Sequence, residues 1–172
     1  MKIAVDAMGG DHAPREVVRG AVQASEEMGL PIILVGREEI LRDELRFLGA
    51  DGNTIDVAHA SEVVEMCESP GVAIRKKKHS SIRVGLNLVA AGNSSAFVSA
   101  GNSGAIMAGA LYVLRKIRGI DRPAITATIP TPSGPIVLID AGANVGCKPA
   151  HLVQFGIMGD AYARKILGIS RP

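Results

Sequence analysis

The chain has 172 residues, of which 47% are apolar and 21% charged, and its formal net charge is +2. This composition is typical of a globular protein. The small net charge and an aromatic content of 3% argue against a nucleic-acid partner, because such a partner needs clustered positive charge and stacking side chains. No apolar run approaches the ~18 residues that cross a bilayer. Cys67 and Cys147 lack metal-ligand spacing, so we expect a cytoplasmic protein with reduced thiols.

The first third of the chain alternates apolar runs with amphipathic segments. Strands are predicted over 2–6, 32–35 and 55–58, and helices over 14–29 and 38–47. This βαβαβ order predicts a three-layer α/β/α fold with a mostly parallel sheet.

The rest of the chain begins with a charged segment, 61–81, to which we assign no regular element. The later predicted elements are a helix over 85–91, a strand over 96–99, a helix over 105–117, strands over 124–129 and 136–140 around a Pro/Gly turn, and a helix over 150–166. The ending "LGISRP" is typical of the approach to another strand. We therefore expect a single α/β domain over 1–172 that is the N-terminal portion of a longer fold.

Three of the predicted strands run into similar glycine-containing loops: "DAMGG" at 6–10, "SAGNSG" at 99–104 and "DAGAN" at 140–144. Loops at the carboxyl ends of parallel strands line the ligand crevice of such a sheet. Glycine lets the backbone approach a ligand, and the N-terminus of the following helix offers free N–H groups to an anion. Together the loops predict an anion site.

The loop at 101–104 has two compatible interpretations. Asn102 and Ser103 precede an apolar helix, so Ser103 is expected to cap it. The backbone amides from Ser103 to Ala105 are also suited to an oxyanion, and phosphate is the anion we expect there. Neither GxGxxG nor GxxxxGK[ST] is present, which argues against dinucleotide and Walker-type sites.

The densest positive charge is "RKKKHSS" at 75–81. It is either a solvated helix face, a segment that closes over phosphate through Ser80 and Ser81, or a docking site for an acidic protein. His12 lies in the first loop and is the histidine best placed for binding or catalysis. Asp6, Asp11 and His12 make a weak Mg²⁺ set, and we expect no metal and no cofactor. No catalytic triad or GxSxG elbow is readable, so covalent catalysis has no support.

Six motifs together resemble the PlsX family of acyl-carrier-protein:phosphate acyltransferases: "DAMGGDHAP" (6–14), "KKKHSS" (76–81), "SAGNSGA" (99–105), "RPA" (122–124), "DAGAN" (140–144) and "QFGIMGDAYA" (154–163). The resemblance covers essentially the whole chain, although members of that family are about twice as long. It implies a Rossmann-like fold of the isocitrate/isopropylmalate dehydrogenase type and transfer of a fatty acyl group from acyl carrier protein to inorganic phosphate, which yields acyl-phosphate for phospholipid synthesis. It also implies a homodimer with peripheral contact at the inner face of the cell membrane.

The site hypothesis combines the loops with this chemistry, because phosphate is itself a nucleophile that must only be held and its oxyanion stabilised. The expected catalytic residues are His12, Asp6, Lys76 and Asn102. The expected phosphate-binding residues are Gly9, Gly10, Ser80, Ser81, Asn102, Ser103 and Gly104. Asp140 and Asn144 are expected to orient the loops. Two alternatives stay open: acyl transfer between coenzyme A and phosphate, as in phosphotransacetylases, and an inactive phosphate-binding module.

Overall fold

The computed structural model describes residues 1–50, 55–142 and 146–172. They form two compact units, Met1–Arg115 and Lys116–Pro172. The expectation of a single domain over 1–172 stays a prediction.

The N-terminal unit alternates strands and helices, as its hydrophobic pattern predicts. In chain order its elements are β1 (Ile3–Asp6), α1 (Arg15–Met28), β2 (Ile32–Gly36), α2 (Glu38–Phe47), β3 (Ile55–His59), α3 (Pro70–Lys76), α4 (Ser81–Ala90), β4 (Ala96–Val98) and α5 (Ser103–Val113).

The four strands form one parallel sheet in the order β3-β2-β1-β4. Val5 of β1 is in register with Val98 of β4, so the two strands end side by side at the same edge. This confirms the predicted mostly parallel, Rossmann-like α/β sheet. It also brings the first two glycine loops to one edge, as expected.

Alternate residues of the central strand β2 face two different layers of helices. Ile32 and Leu34 pack in a buried cluster with α1 and α2, through side chains such as Val18 and Leu41. Ile33 and Val35 belong to a cluster on the other face, against which Val84 of α4 packs. A third buried cluster joins α3, α4 and α5 through Ile74, Ile82, Leu86 and Ala105. Helices therefore cover both faces of the sheet.

The C-terminal unit consists of β5 (Thr126–Ile129), β6 (Ile136–Ile139) and α6 (Pro149–Lys165). Both strands and the helix agree with the sequence prediction. In the described part of the chain, however, β6 pairs only with β5, in antiparallel register. The third glycine loop, at 140–144, therefore follows a strand of an antiparallel pair. Six residues separate the strands, which suits a hairpin, whereas a parallel connection needs a crossover of about a dozen residues or more.

Three other elements depart from the sequence prediction. The charged segment 61–81 contains α3, a short helix that begins at Pro70 in the position where proline is tolerated. Helix α4 begins at Ser81 rather than 85 because the Ser80 hydroxyl accepts a hydrogen bond from the backbone N–H of Arg83 and caps it. Helix α5 ends at Val113, earlier than predicted, and Arg115 has a positive φ of 70°.

Candidate functional site

The loop after β1 and the loop after β4 are joined by a buried carboxylate. Asp6 is 1% exposed, and its Oδ2 accepts a hydrogen bond of 2.7 Å from the Ser99 hydroxyl. Its Oδ1 accepts from the backbone N–H of Met8 at 3.1 Å. The Ser99 oxygen in turn accepts from the N–H of Gly101 at 3.1 Å. Asp6 thus joins the two loops, directly through Met8 and Ser99 and indirectly through Gly101. Its expected catalytic role stays a prediction.

The two glycines of the first loop lie against the backbone of the second. A Cβ on Gly9 would lie 2.5 Å from Asp6 Oδ2 and 2.9 Å from the backbone N of Gly101. A Cβ on Gly10 would lie 3.1 Å from the Ala100 Cβ, and Gly10 has a φ of +108° that disfavours other residues. The close approach therefore requires glycine at both positions.

Helix α5 begins directly after the second of these loops. The Oδ1 of Asn102 accepts from the backbone N–H of Ala105 at 3.0 Å, so Asn102 is the N-cap, one position before the predicted Ser103. Ser103 is exposed and Gly104 is half-buried. Their N–H groups belong to the first turn, which has no intrahelical acceptors, and the helix dipole favours an anion beside them. A phosphate oxygen suits this position.

The Asn102 side chain is 7% exposed and is engaged with protein groups at both ends. Besides the cap made by its Oδ1, its Nδ2 donates to the backbone oxygens of Glu65 at 3.2 Å, Met66 at 3.2 Å and Glu68 at 3.1 Å. This geometry indicates that Asn102 positions the loop. Direct contact of its amide with phosphate stays a prediction.

The serines after the basic run are buried. Ser80 is fully buried, and its hydroxyl donates to the Lys77 backbone oxygen at 2.9 Å in addition to capping α4. Ser81 is 1% exposed, and its N–H donates to the Glu62 oxygen at 3.1 Å. These contacts favour a structural role for both residues, and their contact with phosphate stays a prediction.

The lysines of the run differ in environment. Lys76 and Lys78 are exposed. Lys77 is half-buried, and its Nζ donates to the Val63 oxygen at 2.6 Å and forms an ion pair with Glu68. A hydrogen bond from the Glu65 N–H, followed by the Lys77 ammonium, holds the pKa of Glu68 below its usual value. The expected catalytic role of the exposed Lys76 stays a prediction.

His12 is exposed in the segment between Gly10 and α1. Its backbone oxygen accepts from the N–H of Glu16 at 3.2 Å, which ties the histidine to the start of the helix. The imidazole therefore lies at the surface of the first loop, and a role as proton donor stays a prediction.

The third glycine loop belongs to the C-terminal unit. Asp140 has a φ of 66°, and its Oδ2 accepts from the Cys147 thiol at 3.5 Å. Burial, followed by the Asp140 carboxylate, raises the pKa of that thiol. Asn144 lies outside the described residues. The expected orienting roles of Asp140 and Asn144 stay predictions.

Sequence reasoning misses two positions. Ser99 is predicted only as the last residue of a strand and the first of a glycine loop. The available signal is its hydroxyl, which directly follows β4, the strand beside the one that ends in Asp6. Lys77 cannot be distinguished from its neighbours, because the sequence does not predict α3 or the inward face of the run.

Among residues 1–50, 55–142 and 146–172, no three His, Cys, Asp or Glu side chains are grouped to hold a metal. Within the same residues, no helix has the length and apolar character to span a membrane.

The fold is similar to that of two solved phosphotransacetylases. A phosphotransacetylase from Streptococcus pyogenes matches with a TM-score of 0.70 over 98% of this chain and 55% of its own, at 22% identity. The EutD phosphotransacetylase from Staphylococcus aureus matches with a TM-score of 0.63 over 95% of this chain and 52% of its own, at 20% identity.

Sequence comparison is more specific. The model of the family described as "Fatty acid synthesis protein" matches residues 1–172, and the chain belongs to that family. Relatives named phosphate acyltransferase are 58% identical in Pelotomaculum thermopropionicum over 100% of this chain, 55% in an Anaeromyxobacter species over 99% and 54% in Geobacter sulfurreducens over 100%. The chain spans 50%, 47% and 50% of their lengths, respectively.

Proposed function

We propose that the protein transfers a fatty acyl group from acyl carrier protein to inorganic phosphate, and that the phosphate lies between the first glycine loop and the N-terminus of α5. The observation that carries the proposal is the joining of the two loops by Asp6 and Ser99, with Gly9 and Gly10 against the backbone of Ala100 and Gly101, directly before the N-cap of α5. The names of the relatives support the reaction.

The proposed step needs no enzyme nucleophile. A phosphate oxygen attacks the thioester carbonyl carbon, an acyl C–O bond forms, and the C–S bond breaks as the carrier thiolate leaves. The amides of Ser103 and Gly104 and the dipole of α5 hold the phosphate charge. His12 is the proposed proton donor to the thiolate, and Lys76 the proposed cation that closes over the phosphate. Holding two reactants in the attack geometry is the main source of rate in this scheme.

The exposed lysines Lys76 and Lys78 support acyl carrier protein as the acyl donor. They lie at the end of α3 and just after it, and positive side chains steer the encounter with an acidic protein. The cytoplasmic location, the homodimer and the peripheral contact at the inner membrane face rest on the family resemblance. Sedimentation of the protein alone and with anionic vesicles tests the last two.

A second candidate function is acyl transfer between coenzyme A and phosphate, which the phosphotransacetylase fold supports. The test supplies acyl-carrier-protein and acyl-coenzyme A thioesters separately, with phosphate and with hydroxylamine to trap acyl-phosphate. Phosphate-dependent product from the carrier thioester supports the proposal. Phosphate-dependent product from the acyl-coenzyme A thioester and none from the carrier thioester favours the second candidate. Phosphate binding with no product from either donor favours an inactive phosphate-binding module.

A further inference from the structure

Residues 62–69, here called the clamped segment, lie against the N-terminus of α5. A Cβ on Gly104 would lie 2.8 Å from the Cγ of Pro70, directly after this segment. The Nδ2 of Asn102 donates to three backbone oxygens within the segment, those of Glu65, Met66 and Glu68. The clamped segment is therefore held beside the amides that the proposed phosphate site uses.

Lys77 holds the same segment through other groups. Its Nζ donates to the Val63 oxygen at 2.6 Å and pairs with the Glu68 carboxylate. The Glu68 Oε1 also accepts from the N–H of Glu65 at 2.9 Å, so the lysine stabilises a small turn within the segment. Backbone oxygens of the segment accept hydrogen bonds from both Lys77 and Asn102. The two side chains therefore fix the conformation of the segment together.

Apolar packing contributes little to this segment. Val64 is 5% exposed and joins the cluster of α3, α4 and α5, but Met66 is 58% exposed and Cys67 is exposed as well. A segment with few buried side chains opens easily unless polar contacts hold it. The contacts of Lys77 and Asn102 therefore decide how well its position is defined.

We propose that Lys77 and Asn102 are positioning residues that hold the clamped segment against the first turn of α5. They thereby preserve the geometry of the proposed phosphate cradle, which is formed by the first glycine loop and the amides of Ser103 and Gly104. The ligand part of this inference rests on the proposed function. Neither side chain needs to touch phosphate, because Lys77 acts through Glu68 and Val63, and Asn102 acts through its three backbone acceptors and its cap.

Two substitutions test the proposal by different routes. K77M removes the ammonium and retains the stem. N102D retains the capping oxygen but replaces the donor with a carboxylate that faces three backbone oxygens. Residue-resolved hydrogen exchange follows the Glu65 amide, and calorimetry with inorganic phosphate follows affinity. We expect faster exchange at Glu65 and an affinity about tenfold weaker in both variants. K77R, which keeps a positive charge, should retain wild-type exchange at Glu65 and wild-type phosphate affinity. R19M, which removes an exposed charge on α1, should likewise leave the exchange rate and the affinity unchanged.

The readouts separate positioning from a loss of folded protein. Misfolding lowers the number of phosphate sites but leaves the Kd of the remaining sites unchanged, whereas a displaced cradle raises the Kd. Wild-type exchange at Glu65 and wild-type phosphate affinity in both variants would overturn the inference. A wild-type protein that binds no phosphate would overturn the proposed function and the ligand part of the inference, while the exchange data would still decide whether Lys77 and Asn102 hold the segment.

Discussion

The carboxylate of Asp6 and the hydroxyl of Ser99 meet at 2.7 Å, although they are 93 positions apart in the chain. The contact joins the ends of two neighbouring parallel strands, β1 and β4. Because Asp6 is buried, the hydrogen bond is shielded from competing water. It therefore couples the two loops that form the proposed phosphate cradle.

Removal of this hydroxyl should destabilise the fold. In Ser99→Ala, the buried Asp6 Oδ2 loses its donor, and a buried acceptor left unsatisfied costs about 1–3 kcal/mol. Ser95→Ala is the matched control, because the Ser95 hydroxyl donates to the Lys2 oxygen at an exposed position and its loss should cost less than about 0.5 kcal/mol. Urea unfolding measures both. Equal losses in the two variants would contradict the role given to Ser99.

A side chain should be harmful at Gly9 of the first loop and harmless at a glycine that has open space around it. Gly9→Ala places a methyl group 2.5 Å from Asp6 Oδ2 and should cost about 1–3 kcal/mol, with weaker phosphate binding. Gly20 lies in α1, where a methyl group would meet no described atom within 4 Å beyond its own helix backbone, so Gly20→Ala should stabilise by about 0.5–1 kcal/mol. Denaturant unfolding and phosphate calorimetry on the pair check this. A Gly9→Ala protein as stable as wild type would count against the close approach of the loops.

Reversing the charge of Lys78, the exposed lysine after α3, should weaken recognition of the carrier substrate and leave the thioester chemistry unchanged. Lys78→Glu should raise KM for acyl carrier protein by about threefold to tenfold at low salt, because it reverses a charge that steers an acidic partner. The effect should fade as salt is added. The same reversal at the exposed Lys165 of α6 is the control. A KM change that is independent of salt would indicate a different cause.

The Glu68–Lys77 contact should make stability depend on pH on the acid side. The hydrogen bond from Glu65 and the Lys77 ammonium lower the pKa of Glu68 from its usual value of 4.5. The stabilisation is therefore complete above pH 4.5 and is lost as the pH falls through the lowered pKa of the folded state. Glu68→Gln should remove this dependence, so its stability should approach that of wild type below pH 4.5. Unfolding curves on both sides of pH 4.5 test it, and a constant difference would contradict the assignment.

Much of the sheet follows from local patterns in the sequence. The apolar runs around Ala4 and Leu34 are buried in the structure, and a strand followed by glycines and a helix is enough to predict the loops at 6–10 and 99–104. Their meeting at one edge follows from parallel pairing alone. The capping role near Asn102 is also predictable, since an asparagine or serine before an apolar helix is a strong N-cap signal.

Other features depend on contacts that local patterns do not contain. The hairpin of β5 and β6 cannot be distinguished from two strands of the parallel sheet by composition, and only the short connection indicates it. Which lysine of the basic run faces inward depends on the phase of α3 and on Glu68, which lies nine positions away. The burial of Ser80 and Ser81 likewise depends on the packing of α4 against its neighbours.

The most direct test of the account uses phosphate labelled with ¹⁸O, supplied with acyl carrier protein carrying a fatty acyl thioester. If a phosphate oxygen attacks the thioester carbonyl, the acyl-phosphate product carries the label in its acyl–O–P bridge, and one carrier thiol is released for each product. Free fatty acid without labelled acyl-phosphate, or thiol release that does not depend on phosphate, would contradict the central claim.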